Sequence, residues 1–320
     1  MRGREDSHFG HRLGWKALIE DTYGCPGWYW LAEDGDRVRG VLPLFVRTRR
    51  GRALFSAPGG LLAEDEEVAR ALLAPARERV AAERLDYLEL RDQARAWPEL
   101  ETSGEHCTLV LALSRDEETQ WKRFDHKLRN QIRKGQKSGF TPHWGRDGLG
   151  AFHRVLLENL RDLGTPLRGT RYFERALDAL PGAELLVVGR PRDPAGAMFF
   201  VAHGGTAYDP WASSRRRLLS QCPNQELYWE AIRRALALGL TRFDMGRSQW
   251  ESGTFRFKAQ WGAEPRPLHY QYLRGAAREL PTLEDQKRGY GLAVALWKRL
   301  PLWAADPLGE RAKRMFPEVV

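Results

Sequence analysis

The amino-acid sequence predicts a mixed α/β (α+β) protein of two related domains, and three observations support this fold class. Two β-hairpins are indicated at 28–46 and 184–202, where apolar strand-like runs flank polar turns. Each hairpin is followed by the same succession of a strand, a helix and another strand. Residues at matching places in the two copies are 156 positions apart, namely Gly40 and Gly196, and Arg91 and Arg247. Equal offsets favour an internal duplication, with a mixed sheet flanked by helices in each copy.

The elements after each hairpin follow from the hydrophobic pattern and the turn residues. In the first copy, the pattern predicts a strand at 53–56, a helix at about 65–83 and a strand at 85–90. In the second copy, it predicts a strand at 206–213, a helix at about 224–238 and a strand at 241–245. A further helix at 151–164, with its apolar residues on one face, precedes the second copy.

These elements predict three segments. We expect a first domain at 1–115, a second domain at 116–275 that contains a basic helix at 121–139, and a helical tail at 276–320. The tail contains Trp297 and Trp303 and is broken at Pro301. A helix packed on the protein is the favoured interpretation of this tail, and a helix lying on a membrane surface is the alternative.

Composition limits the classes of function. The 320 residues carry a formal net charge of +9, which indicates an anionic partner such as a phosphorylated cofactor, RNA or a membrane surface. No run is long and apolar enough for a transmembrane helix, and the charged first residues lack the apolar stretch of a signal peptide, so we expect a cytoplasmic protein. Three cysteines without metal-like spacing predict neither a disulfide framework nor a metal site.

Basic side chains recur at helical spacing between 121 and 140. Arg129, Arg133 and Lys137 follow one another at every fourth position and would share a helix face, beside a row formed by Asn130 and Lys134. Such a face suits the phosphates of a nucleotide cofactor or of RNA. A solvated helix face is an equally weighted alternative.

A second group of polar residues lies at 208–248, at the ends of two predicted strands and in the loops after them. Ligand groups gather at such places in α/β folds. The candidates for substrate binding in this segment are Tyr208, Trp211, Ser213, Arg247 and Ser248. Asp244 could orient a nucleophilic amine. An ion pair between Asp244 and Arg247 requires a less specific arrangement of groups and is the favoured interpretation.

Lys258 stands out because it is the sole lysine between Lys137 and Lys287, in an interval with many arginines. Lysine is a compact charge that can lose its proton when it is partly buried, whereas arginine stays charged. A chemical role for Lys258 therefore competes with a solvated lysine beside aromatic residues. Arg256, on the same segment, is a further candidate for substrate binding.

Four runs, in order, carry a resemblance to a known family: KLRNQIRKGQKSGF, LENLRDLGTP, YWEAIRRALALGLTRFDMGRS and GTFRFKAQWGAEPRPLHY. Together they resemble the FemAB-like proteins of the GNAT superfamily that are associated with exosortase and exopolysaccharide gene clusters and have a BioF2-like acetyltransferase domain. The resemblance implies two tandem GNAT-like domains and acyl transfer to an amine. In relatives that build peptidoglycan bridges, the donor is aminoacyl-tRNA, and a Phe-Lys pair that matches Phe257 and Lys258 helps the reaction.

The resemblance also implies roles for individual residues. Lys258, expected on a strand beside aromatic residues, would stabilise the charge that develops during transfer, with Phe257 as the other member of the pair. Asp244 is the third catalytic candidate, from its place at the end of a predicted strand. The donor stays undecided between acyl-CoA and aminoacyl-tRNA. The pyrophosphate motif of acetyl-CoA enzymes is missing at the expected strand-to-helix turns, since its literal match RGYGLA at 288–293 follows a polar stretch. The long helical arm of several tRNA-using relatives is missing as well.

The sequence thus predicts an acyltransferase that moves an activated acyl or aminoacyl group onto an amino group of a cell-envelope or exopolysaccharide-related acceptor. Its expected partners are an anionic acyl donor and an amine-bearing envelope or sugar precursor, with tRNA and a peripheral membrane contact left open. Two alternatives remain: acetyl-CoA-dependent N-acetylation of a small molecule, and a non-catalytic RNA- or membrane-binding protein on a GNAT-like scaffold. The sequence does not predict an oligomeric state.

Overall fold

The computed structural model describes residues 6–47, 52–93, 95–277 and 291–315. They form two compact units. Unit 1 comprises Met1–Cys107, Pro267–Tyr290 and Arg314–Val320, and unit 2 comprises Thr108–Arg266 and Gly291–Lys313. The limits predicted for the domains, at 115/116 and at 275/276, stay a prediction.

The elements of the first part of the chain are α1 (Leu13–Tyr23), β1 (Gly27–Asp34), β2 (Arg37–Arg47), β3 (Ala53–Ser56), β4 (Leu62–Ala63), α2 (Glu66–Ala82), β5 (Tyr87–Gln93) and β6 (Glu101–Ala112). They continue with α3 (Glu117–Arg123), α4 (His126–Lys137), β7 (Thr141–Trp144), α5 (Leu149–Leu163) and α6 (Thr170–Ala179). The second hairpin and its successors are β8 (Ala183–Arg190), β9 (Asp193–His203), β10 (Thr206–Ser214), α7 (Pro223–Ala237) and β11 (Arg242–Gln249). The last elements are α8 (Gly253–Ala259), β12 (Glu264–Arg274), α9 (Gly291–Trp297) and α10 (Leu302–Met315).

In unit 1, the strands β1, β2 and β3 are antiparallel neighbours, β3 pairs with β5 in parallel, and β5 pairs with β12 antiparallel. The core of this unit lies under α2, whose buried residues at 3- and 4-residue spacing include Val68, Leu72 and Val80. Asp65 fixes the start of α2, because its carboxylate accepts a hydrogen bond from the backbone N–H of Val68 at 2.9 Å.

In unit 2, the strands β8, β9 and β10 are antiparallel neighbours, and β10 pairs with β11 in parallel. The order and directions of the strands therefore match those of β1, β2, β3 and β5 in unit 1. Helix α7 stands between β10 and β11 just as α2 stands between β3 and β5. This agreement confirms the mixed α/β fold with two tandem units of the same topology.

The prediction of one continuous basic helix at 121–139 is wrong. It consists of α3 and α4, separated at Phe124 and Asp125. Phe124 has an extended backbone and a buried ring, which packs 5.6 Å from the ring centroid of Trp229. Asp125 then caps α4 by accepting a hydrogen bond from the backbone N–H of Leu128 at 2.6 Å. Burial of an aromatic ring and a new cap together end one helix and begin the next.

The helical tail is broken at Pro301, as predicted, and α10 begins directly after this residue. The tail contacts unit 2, where the guanidinium of Arg161 donates a hydrogen bond to the carbonyl of Leu300 at 2.6 Å. Leu296 and Trp303 remain largely exposed, at 66% and 80%. The motif match at 288–293 lies partly outside the described residues, which resume at Gly291. No helix among the described residues is long and apolar enough to cross a membrane.

Glu226, on α7, is a buried carboxyl group next to α4. A Cβ placed on Gly135 of α4 would lie 3.2 Å from the Glu226 Cβ, so the two helices are in close contact. The side chain is 3% exposed, and its Oε2 accepts no hydrogen bond from a described residue. Burial, followed by the nearby charge of Glu230, raises the pKa of Glu226 to about 7, and Arg233 opposes this rise.

Stability should therefore fall as the pH rises. The unfolded state loses the Glu226 proton near its ordinary pKa of 4.5, whereas the folded state keeps the proton until about pH 7. We expect Glu226→Gln to raise the free energy of unfolding by on the order of 1–2 kcal/mol at pH 8 and to leave it nearly unchanged at pH 4.5. Denaturant unfolding at both pH values measures this difference.

The matched control is Glu174→Gln, which removes an exposed carboxylate from α6. It should change stability by less than about 0.5 kcal/mol at either pH. An equal pH dependence of unfolding in the wild type and in Glu226→Gln would contradict the assignment.

Candidate active site

The strands β10 and β11 separate after a short parallel pairing. Their register covers Thr206 with Arg242, Ala207 with Phe243, and Tyr208 with Asp244. Directly after Tyr208, the register of β10 with β9 shifts, so that Asp209 and Pro210 lie in a bulge. A bulge re-aims the strand, and the separation opens unit 2 at the carboxyl ends of two parallel strands, where α/β proteins place their ligands.

Asp209, in the bulge, is buried at 7% exposure. The hydroxyl of Tyr228, on α7, donates a hydrogen bond to Asp209 Oδ2 at 2.5 Å, whereas Oδ1 accepts none from the described residues. Burial raises the pKa of Asp209 to about 7, against the opposing effects of the Lys258 charge and of the Tyr228 hydrogen bond. Asp209 is therefore a carboxyl group that changes its charge near neutral pH.

Lys258 lies on α8, and its predicted position on a strand is wrong. The helix forms because the hydroxyl of Ser252 accepts a hydrogen bond from the backbone N–H of Phe255 at 3.1 Å and so caps its first turn. Lys258 is buried, at 5% exposure. Its Nζ donates hydrogen bonds to the backbone carbonyls of Gly246, at 2.8 Å, and Arg247, at 3.1 Å. The amine is thus fixed at the end of β11.

Gly246 brings the lysine and the aspartate together. Its backbone is left-handed, with φ of 73°, a conformation that favours glycine. A Cβ at this position would lie 3.0 Å from Asp209 Oδ1 and 3.9 Å from Lys258 Nζ. The carboxylate and the amine therefore occupy the space on one side of Gly246 that a side chain would otherwise fill.

Aromatic rings border this cluster. The ring of Phe257 packs against that of Tyr228 with centroids 5.1 Å apart, and Trp261 lies 6.0 Å from Tyr228 and 6.3 Å from Phe257. Such a wall keeps water away from Lys258 and Asp209, which strengthens electrostatic interactions in the cluster. Phe257 thus contributes through its ring, and it has no group that could take part in proton transfer.

Asp244 holds the end of β11 in shape. Its Oδ1 accepts hydrogen bonds from the hydroxyl of Thr108 and from the backbone N–H of Gly246, the latter at 2.9 Å. A carboxylate that binds the N–H two residues ahead stabilises a turn. The same charge adds to burial in raising the pKa of Tyr208. Asp244 therefore shapes the strand that presents the Gly246 and Arg247 carbonyls to Lys258.

The other candidates from the second strand pair are spread over different surroundings. The ring of Trp211 packs in an aromatic cluster with Phe173 and Phe199, with centroids 5.4 and 5.1 Å away. The hydroxyl of Ser213 accepts a hydrogen bond from the amide of Asn159 at 3.2 Å. Arg247, near the end of β11, and Arg256, on α8, are exposed. Ser248, also near the end of β11, is buried. The structure thus groups Lys258 with the carbonyl groups of β11, and it places the Trp211 ring in a separate aromatic cluster.

The predicted basic row is present on α4. Asn130, Arg133, Lys134 and Lys137 are exposed, and Arg129 is half-buried. The Arg133 guanidinium lies 5.4 Å from the ring centroid of Trp121, a cation–π contact.

Helix α4 lies against the start of α7. A Cβ on Gly135 would be 2.8 Å from the carbonyl oxygen of Cys222, and the hydroxyl of Ser138 donates a hydrogen bond to the carbonyl of Gln221 at 3.2 Å. Burial raises the pKa of the Cys222 thiol, and the charge of Lys134 opposes this. The basic row therefore borders the N-terminus of α7, where backbone N–H groups favour anions.

Two members of the buried cluster, Asp209 and Tyr228, are absent from the sequence-based candidates. The signal for Asp209 is the Asp-Pro pair inside a strand-like run, since proline inside a strand marks a bulge or an edge. Tyr228 is indistinguishable from a core residue, because its helix is apolar on several faces. Across the part of the chain that the structure describes, no group of three or more His, Cys, Asp or Glu side chains could hold a metal ion.

Comparison with known proteins shows which family part of the chain resembles and which solved structures have a similar fold. Residues 122–259 match the acetyltransferase (GNAT) domain family. The fold is similar to that of FemX, with a TM-score of 0.67 and 15% identity over 88% of this chain and 93% of FemX. No curated protein sequence is significantly similar to the chain.

Two further solved structures have the same fold. L-PGS from Bacillus licheniformis has a TM-score of 0.56 and 14% identity, over 91% of this chain and 92% of that protein. A tandem GNAT protein from the clavulanic acid biosynthesis pathway has a TM-score of 0.54 and 13% identity, over 88% and 98%. Residues 122–259 of this chain are therefore similar to the acetyltransferase (GNAT) domain family, and the fold is similar to that of FemX and of a tandem GNAT protein.

Proposed function

We propose that this protein is an acyltransferase that moves an activated acyl or aminoacyl group onto an amino group of a cell-envelope or exopolysaccharide-related acceptor. The observation that carries the proposal is the buried amine of Lys258, held by two carbonyls at the separation of β10 and β11, beside Asp209. The family match and the FemX-like fold support acyl transfer as the reaction class.

The reaction needs little covalent help from the protein. The acceptor amine attacks the carbonyl carbon of a thioester or ester, a C–N bond forms, and electron density moves onto the carbonyl oxygen. The C–S or C–O bond then breaks, its electron pair leaves with the CoA sulfur or the tRNA ribose oxygen, and the proton lost by the nitrogen passes to that leaving group. Lys258 is proposed to stabilise the negative charge that develops in this sequence, in a site from which aromatic rings exclude water.

Asp209 is proposed as a positioning residue for Lys258. An ionised carboxylate beside the amine favours the ammonium form and holds it in place. Because the pKa of Asp209 is about 7, this support is complete only at a pH above neutral. The bond from Tyr228 fixes the carboxylate, and Asp244 fixes the strand end that carries the two carbonyls.

The basic row on α4 is proposed to hold the phosphates of the donor. Arg129, Arg133, Lys134 and Lys137 supply charge, and the adjacent N-terminus of α7 supplies backbone N–H groups. Both acyl-CoA and aminoacyl-tRNA carry phosphates, so this surface fits either donor. Asn130, on α4, is the remaining proposed donor contact. The remaining proposed substrate contacts lie on β10, near the end of β11 and on α8, namely Tyr208, Trp211, Ser213, Arg247, Ser248 and Arg256.

The acceptor class is supported by similarity to FemX and to L-PGS, together with the FemAB-like motifs of the sequence. Acetyl-CoA-dependent N-acetylation is the second candidate, and the match to an acetyltransferase (GNAT) domain favours it. Mass spectrometry of molecules retained by the purified protein identifies the donor. Bound tRNA would exclude the second candidate, whereas bound CoA is compatible with both, and the acceptor that then receives the acyl group, an envelope precursor or another small amine, distinguishes the two. If the protein transfers no group to any amine, either from acetyl-CoA or from aminoacyl-tRNA, the non-catalytic binding protein is the alternative that is left.

Replacement of Lys258 tests its role. Lys258→Met keeps the stem of the side chain and removes the charge, so turnover should fall by about a hundredfold or more. Lys258→Arg should also lose activity, because the larger, planar guanidinium group of arginine cannot take the place of a compact amine between two carbonyls. Product formation, followed by mass spectrometry with the identified donor, measures both variants.

The control is Lys122→Met, which removes an exposed charge from α3. Its turnover should stay within about twofold of the wild type. Full turnover in Lys258→Met would remove Lys258 from the mechanism.

The pH profile tests Asp209. Its raised pKa means that the carboxylate is ionised only above about pH 7, so the wild-type rate should rise with pH through this value. Asp209→Asn should be slower by about tenfold or more and should lack this rise. Its thermal stability at pH 8 should equal or exceed that of the wild type, because the folded state no longer keeps a charged group buried. A profile that keeps its rise in Asp209→Asn would assign the titration to another group.

Salt dependence tests the basic row. Arg129→Ala combined with Arg133→Ala should weaken binding of CoA or tRNA by about tenfold at 0.05 M salt and by much less at 0.5 M, because exposed charges are screened. The control is Arg154→Ala combined with Arg171→Ala, which removes the same charge from exposed positions on α5 and α6. Equal losses of binding affinity in the two double variants would show that the effect depends on the net charge of the protein and not on the basic row.

A further inference from the structure

Part of the helical tail is exposed and apolar, and the proposed transfer step does not use it. Leu296, on α9, and Trp303, on α10, are among the most exposed large apolar side chains of the described residues, at 66% and 80%. Leu163, at the end of α5, is exposed as well. Single apolar side chains scattered over a surface are ordinary, whereas a group of them on one side of an element indicates a contact with a partner.

Helix α10 has a packed side and an exposed side. Ala305, Gly309 and Lys313 follow one another at four-residue spacing and are buried. A Cβ on Gly309 would lie 2.6 Å from a carbonyl oxygen in the loop before α6. Trp303 and Arg311 each precede one of the buried residues by two positions, and both are exposed. Because two positions turn an α-helix by about 200°, Trp303 and Arg311 point away from the protein.

Helix α9 is arranged in the same way. A Cβ on Gly164, directly after α5, would lie 2.5 Å from Val294 Cγ1 and 3.2 Å from Lys298 Cε, so this side of α9 packs on the end of α5. Leu296 lies midway between Val294 and Lys298 and therefore points outward. Leu163 borders this contact. Each tail helix thus turns a large apolar side chain away from the protein.

Positive charges accompany these apolar side chains. Lys298 and Arg299, directly after α9, are exposed, as is Arg311 on α10. Six residues separate Leu296 from Trp303, which places the two within about 25 Å of each other. An outward side with tryptophan, leucine and several cations is typical of helices that lie in the interface of a membrane.

The acidic side chains of α9 and α10, Asp306 and Glu310, lie toward the protein. Asp306 Oδ1 is 3.5 Å from His153 Nε2 on α5, and a Cβ on Gly169 would lie 2.8 Å from Glu310 Oε2. The negative charges of the two helices therefore point toward α5 and the loop before α6, whereas the positive charges at Lys298, Arg299 and Arg311 are exposed.

An anionic membrane fits this side of the tail better than a second copy of the chain does. In a two-fold dimer the same surface faces itself, so Lys298, Arg299 and Arg311 would meet like charges. Anionic phospholipids attract these cations, and tryptophan and leucine bury their apolar surface at the boundary of headgroups and acyl chains. The net charge of +9 adds a general attraction to such a surface.

We propose that α9 and α10 dock the protein on a membrane surface that contains anionic phospholipids. The docking surface, which we call the tail face, consists of Leu163, Leu296, Lys298, Arg299, Trp303 and Arg311. The contact is peripheral, because the apolar side chains enter the interfacial layer while the helices stay packed on α5 and on the loop before α6. This contact does not rest on the proposed acyl transfer.

Flotation with vesicles tests the tail face in the full-length protein. The wild type should bind vesicles of phosphatidylcholine and phosphatidylglycerol, and it should bind vesicles of phosphatidylcholine alone much more weakly. Leu296→Ala combined with Trp303→Ala should lower the affinity for the mixed vesicles by about tenfold or more, because the apolar area that enters the interface is lost. The control is Leu238→Ala combined with Trp250→Ala, which removes an exposed leucine and an exposed tryptophan from unit 2 outside the tail. This control should keep wild-type affinity.

A second pair of variants tests the charges. Lys298→Gln combined with Arg311→Gln should lower the affinity for mixed vesicles by about tenfold at low salt. Arg154→Gln combined with Arg171→Gln removes the same charge from exposed positions on α5 and α6 and should have a much smaller effect.

Fluorescence quenching tests whether Trp303 enters the interface. Phospholipids with brominated acyl chains should quench part of the tryptophan fluorescence of the wild type when vesicles bind. Trp303→Phe should keep most of the binding, because phenylalanine is also apolar, and should lose most of the quenching. Quenching that persists in Trp303→Phe would assign the contact to another tryptophan and overturn the tail face.

Absence of binding to mixed vesicles would overturn the docking surface, as would equal losses of affinity in the two charge variants, which would reduce binding to the net charge of the protein. Self-association of the wild type in light scattering, abolished in Leu296→Ala combined with Trp303→Ala and without vesicle binding, would assign the face to a second copy instead. Lys258→Met should keep vesicle binding even where transfer is lost, so failure of the tail face is distinguishable from failure of the proposed function.

Discussion

The separation of β10 and β11 after Tyr208 and Asp244 is the constraint on which the candidate site depends. Two side chains enforce it: Pro210 has no N–H to donate to a neighbouring strand, and Asp244 binds the N–H of Gly246, which a sheet would otherwise use. Once the strands part, the Gly246 and Arg247 carbonyls need a donor, and the amine of Lys258 supplies it. The carboxylate of Asp209 lies beside that amine, on the same side of Gly246.

Duplication of the scaffold did not duplicate this chemistry. In unit 1, the parallel pairing of β3 with β5 begins at Ala53 with Tyr87 and ends at Phe55 with Glu89. The residues after this pairing correspond to those at which β10 and β11 separate in unit 2. There the backbone N–H of Arg91 donates to the hydroxyl of Ser56 at 2.8 Å, and its guanidinium lies 4.7 Å from the Phe55 ring centroid. A buried arginine paired with Glu89 fills the space. The same topology therefore provides a packed core in unit 1 and a polar cluster in unit 2.

Hydrophobic pattern and turn residues predict the hairpins and their following elements to within four residues at each end, because these elements bury one face and end at polar turns. The pattern fails where tertiary contacts override it. A helix is interrupted at Phe124 because its ring is buried, and Lys258 is helical because Ser252 caps a short turn inside a segment with strand propensity. Asp209 escapes detection because its importance lies in a pKa raised by burial, which depends on residues far away in sequence.

The distribution of lysine and arginine in unit 2 has a physical basis beyond composition. Arg168 is fixed over an aromatic ring, as suits a permanently charged planar group. The Nζ of Lys258 lies 2.8 and 3.1 Å from two backbone carbonyl oxygens, in a space that it shares with Asp209. The larger guanidinium of an arginine would not fit this space. Lys313 is buried among other positive charges, where a group that can release its proton avoids part of the electrostatic cost. Lys258 therefore serves where a compact amine fits between two carbonyls, and Lys313 serves where the charge of a buried group responds to its neighbours.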